Sequence, residues 1–164
     1  MKCDELIMNW LNNAYSMEIS AAKAYEAYAD DAENMPQIED TFTEHADRAG
    51  DKAERVKNRI EELGGDVSKI KESIAEVSGW FGGVATELFG DKNVKNAVSS
   101  HSLAHFAHAS YKAIEEAAHL CDDDVTADLA TELSDESHQM ADEIAENIPA
   151  VVEQYVISKT REEE

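Results

Sequence analysis

A glutamate in the middle of an apolar helical stripe is a place where chemistry can begin. Glu18 is one, set between Ala14 and Ala21 and one turn beyond Tyr15. A carboxylate in such a stripe must be paired, protonated or bound to a metal. His45 holds the equivalent place in a second stripe, where it either hydrogen-bonds within the core or serves as a ligand. Further on, His101, His105, His108 and His119 recur at spacings that return them to within about 60° of one another on a helical wheel. Histidines one turn apart can share a transition metal, but no Asp or Glu lies between Asp91 and Glu115 to help them. The same wheel separates this line from Ala104, Ala107, Tyr111, Ile114 and Ala118, which form the core face. The histidines are therefore expected to flank the core or to meet a partner subunit. Glu132, Asp135, Glu136 and His138 follow, and Asp135-x-x-His138 has the spacing of the acid-x-x-His pairs of carboxylate-bridged metal sites. Its phase is wrong for that role, because Ser137 faces the core midline and His138 points roughly 100° away. No Ser, Thr or Cys sits in a nucleophile motif, and Gly79-x-x-Gly82-Gly83 lacks the Lys-Ser/Thr of a phosphate loop.

The elements that must position these groups are helical. Ile7, Leu11, Ala14, Glu18, Ala21, Tyr25 and Tyr28 mark one face of a first helix over about residues 4–32. Pro36 suits the first turn of a second, whose stripe is Ile38, Phe42, His45, Ala49, Ala53, Val56, Ile60 and Leu63. Gly64-Gly65 ends it, and the short link makes these two helices antiparallel. Asp66 or Ser68 can cap a shorter third helix carrying Ile70, Ile74 and Val77, which Gly79, Gly82 and Gly83 interrupt. A fourth helix is expected over about residues 92–120, and Asp122-Asp123-Asp124 breaks it. A fifth runs from about Val125 to Ile157 with Pro149 kinking its last turns, and residues 161–164 fray. Two long helices, a crossover of some 27 residues and two more long helices predict an all-α, ferritin-like four-helix bundle with a short crossover helix, five helices in all, as a single domain over residues 1–160.

Composition narrows the function. Thirty-six acidic residues against 14 Lys and Arg give a formal charge of -22, which repels phosphate backbones and anionic lipid, so neither nucleic acid nor membrane is an expected partner. An acid excess of this size hints at a high-salt habitat, where surface carboxylates keep a protein hydrated; the alternative is an ordinary acidic helical protein whose charges form a solvated face. No apolar run reaches membrane-spanning length, and acids stand where a signal peptide carries lysines, so the expected location is cytoplasmic. Cys3 and Cys121 belong to no CxxC or Cys/His spacing and are expected as reduced thiols.

Several short pieces occur in an order that resembles the ferritin-like stress-response family typified by the YciE and YciF proteins. They are Ala14-Tyr-Ser-Met-Glu18, Phe42-x-x-His45, Ala53-Glu-Arg-Val56, Arg59-Ile-Glu-Glu-Leu-Gly-Gly-Asp66, Val94-Lys-Asn-Ala97 and His105-Phe-x-x-Ala109-Ser-Tyr111. The resemblance spans nearly the whole chain. It implies a dimetal centre built from inward acids and histidines on all four long helices, onto which Glu18, His45 and His105 map. Where it implies further acids, this sequence has Ala104 and Ala107, and Ser137-His138 replaces the Glu pair of the last helix.

Two functions follow from these readings. One is a stress-related bundle with a degenerate dimetal site and a structural or interaction role as a homodimer, more a non-enzyme than an enzyme. The other is a protein that holds iron, manganese or zinc through Glu18, His45, His105 and Glu136 and handles oxygen or peroxide. On the first reading Glu18 hydrogen-bonds to a buried histidine or tyrosine, with His45 and Tyr111 as the candidates.

Overall fold

A computed structural model describes residues 1–70 and 88–161 of the chain. Among the described residues four long helices carry the fold: α1 (Cys3–Asp31), α2 (Pro36–Glu62), α3 (Lys92–Leu120) and α4 (Asp124–Arg161). There is no strand among the described residues. The helix ends follow local chemistry. Pro36 opens α2 at a position whose N–H has no helical partner, and Gly64, at φ 84°, supplies the left-handed residue just beyond its end. The Asp91 carboxylate accepts the Val94 N–H at 2.9 Å and caps α3, an interaction worth about 1 kcal/mol. Asp122 takes a left-handed conformation after α3, and Asp123 accepts the Thr126 N–H at 3.0 Å to start α4. The aspartate run therefore stops one helix and caps the next, as expected.

Of the expected third helix, only a single 3-10 turn at Val67–Lys69 is described, with the Asp66 carboxylate accepting the Ser68 N–H at 2.9 Å. Ile74, Val77 and the glycines Gly79, Gly82 and Gly83 lie outside the described residues, as does the acidic tail beyond Arg161. Helix α4 runs four residues past the expected end and continues through Pro149.

Pairings of side chains fix the directions. Tyr28 meets Phe42 and Tyr25 meets His45, so α1 and α2 are antiparallel. Asn96 donates to Asp31, and Tyr111 donates to Glu18, so α3 also runs against α1 and hence parallel to α2. Arg48 reaches Glu143 and Arg59 reaches Asp123, which sets α4 against α2. Parallel middle helices need a long crossover, which is what the 29 residues between Glu62 and Lys92 provide.

The apolar core falls into two clusters along the bundle. One gathers Tyr25, Phe42, Ala49, Leu103, Ala104, Met140 and Ile144; the other gathers Leu11, Met17, Val56, Ile60, Ala107, Ile114 and Leu133. Between them each helix contributes the residues that the apolar sets skip.

Candidate functional site

The gap between the two clusters is filled by a polar layer of Glu18 from α1, Lys52 from α2, Tyr111 from α3 and Ser137 from α4. All four side chains are essentially inaccessible. Glu18 Oε1 accepts a hydrogen bond from the Tyr111 hydroxyl at 2.7 Å and lies 3.1 Å from Lys52 Nζ. The Lys52 ammonium also donates to Ser137 Oγ at 2.9 Å, and that hydroxyl donates onward to the Leu133 carbonyl at 2.7 Å. The result is a compact, charge-balanced network in which each member has a partner, the condition under which burial of charge is tolerable. Burial and the adjacent Glu18 charge push the Tyr111 phenol well above its usual value, so the phenol stays a donor. Of the two partners expected for Glu18, Tyr111 is the one it has. Sequence reasoning missed Lys52, although its spacing of three from Ala49 and four to Val56 places it on the stripe of α2.

His45 is fully buried but directed elsewhere. Its Nε2 lies 2.7 Å from Glu143 Oε2, and the same oxygen accepts from Arg48 Nη1 at 2.9 Å. A carboxylate only accepts, so Nε2 carries the hydrogen and Nδ1, which has no partner, keeps a bare lone pair. Burial holds the imidazole below its ordinary value despite the neighbouring Glu143 carboxylate, since a second proton at Nδ1 would be buried without an acceptor. Burial also pushes the Glu143 carboxyl up, but the His45 hydrogen bond and the Arg48 charge outweigh it and hold the group down. Glu136 is half-buried on the same side and lies 3.4 Å from both Arg48 Nε and Arg55 Nη1, while Arg55 also pairs with Glu132.

His105 stands on the outer side of α3, where its ring neighbours those of His101 and His138. His138 is exposed, as its phase predicts, and lies 3.7 Å from Asp142. His119 lies toward the end of the helix, 4.0 Å from Asp124. Glu18, His45, His105 and Glu136 are thus placed in three separate sets of contacts, with His45 and Glu136 linked only through Glu143 and Arg48. Among the described residues, no three His, Cys, Asp or Glu side chains are arranged to hold one metal ion.

The expectation of two reduced thiols is corrected. Cys3, at the start of α1, and Cys121, just past the end of α3, form a disulfide with Cα atoms 5.6 Å apart. Antiparallel α1 and α3 bring these ends together, a tertiary fact that sequence spacing does not carry. No described helix is long and apolar enough to cross a membrane.

The titrations give a signed expectation for pH. The unfolded chain takes up a proton on His45 near the ordinary value of 6.5, while the native ring resists it, so stability falls as pH drops through that value. Depressed Glu143, Asp123 and Asp31 add a second loss below their ordinary values of 4.5 and 3.8. Overall carboxylate repulsion has the opposite sign and is removed by working in about 1 M salt. Thermal melts across this range should show both losses, and His45→Gln should flatten the first. An unchanged upper step in that variant would assign it to another group.

Two comparisons place the molecule. Its backbone is similar to a crystal structure of a protein from Xanthomonas campestris pv. campestris, with a TM-score of 0.81, 22% sequence identity and coverage of 96% of this chain and 98% of the other. That likeness supports the four-helix architecture. The family described as "Domain of unknown function (DUF892)" matches residues 2–157, nearly the whole bundle, and the chain belongs to this family.

Proposed function

We propose that this protein is a ferritin-like bundle of the YciE and YciF kind, stress-related in role, which works as a homodimer in a structural or interaction capacity and has a degenerate dimetal site. The observation that carries this reading is the Lys52 ammonium 3.1 Å from the buried Glu18 carboxylate. In a carboxylate-bridged bundle, positive charge at that level comes from two divalent cations and is offset by several inward acids. Here one ammonium balances one carboxylate, and the surrounding donors are a phenol and a hydroxyl. Ala104 and Ala107 are buried and offer only methyl groups. This donor set does not fit a dimetal centre, and the reading involves no metal-dependent step. The cytoplasmic location expected from the sequence is harder to reconcile with the Cys3–Cys121 bond, since disulfides persist mainly in oxidising compartments.

A second reading keeps the protein as a binder of iron, manganese or zinc through Glu18, His45, His105 and Glu136, acting on oxygen or peroxide. The unpartnered Nδ1 of His45 favours it, as a buried lone pair free to ligate. Metal analysis after anaerobic loading with ferrous iron separates the two. The first reading expects fewer than two equivalents of iron and little ferroxidase activity. Two tightly held ions lost in Glu18→Gln would overturn it.

A further inference from the structure

Four of the chain's six histidines gather on the outer seam between α3 and α4. The ring centres of His101 and His105 are 4.6 Å apart, those of His105 and His138 5.9 Å, and those of His108 and His138 5.0 Å. Two imidazoles bound to one tetrahedral ion through nitrogens at about 2.0–2.1 Å have centres about 5 Å apart, so these rings are already near the separation that sharing an ion requires.

Two of the rings are oriented by hydrogen bonds to α4. His101 Nδ1 lies 2.9 Å from the Ala141 carbonyl oxygen, and His108 Nδ1 lies 3.0 Å from that of Ser134. A carbonyl only accepts, so His101 carries its hydrogen at Nδ1 and in the neutral form keeps a lone pair at Nε2, while His108 Nδ1 also lies 2.9 Å from the Ser134 hydroxyl, which can accept from it or donate to it. This is the outer-shell arrangement that orients metal-binding histidines elsewhere.

We propose that this histidine seam binds one divalent transition-metal ion of the imidazole-preferring kind, zinc, nickel or copper, with His105 and His138 as the central ligands and His101 or His108 completing the set. As the rings lie, no three converge on a point. Closing on an ion requires rotation of His105 and His138, which both occupy exposed positions. All the donors are nitrogen, so magnesium and calcium are poor competitors. The chain's charge of -22 raises the local concentration of any cation at the surface. The seam is separate from the polar layer, because Ala104 and Ala107 face the core where His105 does not, and Ser137 enters the layer where His138 does not.

The test is a zinc titration of the full chain against a chromophoric chelator in a large excess of Mg2+, which saturates surface carboxylates. The wild type is expected to hold one equivalent of zinc, and the double variant His105→Ala/His138→Ala to bind it at least about tenfold more weakly, since loss of an outer-shell partner alone costs about 10–100-fold. Both positions are exposed, so the variant should melt like the parent. Imidazole 15N shifts of the wild type give a readout independent of mutation, with zinc moving the seam histidines and leaving His45 and His119 in place. No zinc retained, equal retention in the double variant, or shifts confined to His45 or His119 would each overturn the proposal.

Discussion

Lys52→Met is expected to destabilise the fold by about 3–5 kcal/mol, the usual cost of breaking a buried ion pair by removing one partner. The loss comes less from the missing attraction than from what is left behind. Glu18 is 1% exposed, and without the ammonium its buried charge is left facing the neutral Tyr111 hydroxyl. Ser137 Oγ loses its donor at the same time. The double variant Glu18→Leu/Lys52→Met should recover most of that cost, because apolar replacement of a whole buried pair is often neutral or stabilising. Denaturant unfolding of the two single variants and the double variant closes the cycle. If the double variant were as unstable as Lys52→Met, the penalty would lie in packing and not in the stranded charge.

Reduction of the disulfide is expected to have a comparable effect by a different route. The bond spans a sequence separation of 118, and in the chain-entropy view a loop near that length restricts the unfolded ensemble by about 4–5 kcal/mol. Cys3→Ser should therefore lower the denaturant midpoint by an amount that reductant reproduces in the parent and does not add to in the variant. A parent whose midpoint ignores reductant would show that the thiols are unpaired in solution.

The helices were legible because their stripes are regular. Ile7, Leu11, Ala14, Ala21 and Tyr25 are all buried where the period of α1 puts them, and Pro36, Gly64 and Asp123 mark boundaries through local geometry alone. Glu18 was legible for the same reason, as an exception in a stripe. Its partner was not, because a lysine on an otherwise charged helix reads as a solvated residue until a carboxylate faces it. Glu143 was missed as the partner of His45 since the two are 98 residues apart and the pairing depends on how α2 and α4 lie against one another. The Cys3–Cys121 bond was hidden likewise, for nothing in either cysteine's neighbourhood says that the start of α1 meets the end of α3. Periodicity reports one helix at a time, and the site is made between helices.

The bond from Cys3 to Cys121 also changes the chain's topology. It closes α1, α2, the crossover and α3 into a covalent ring and leaves α4 as the one long helix outside it. A protease that cuts once anywhere within the ring produces no separable fragment, since both pieces remain tied through sulfur. A cut between Cys121 and Asp124 instead releases α4, held only by noncovalent contacts such as those of Lys52 with Ser137 and Arg59 with Thr126. A single cut in the short turn before α4 therefore divides the protein covalently, and a single cut between Cys3 and Cys121 does not.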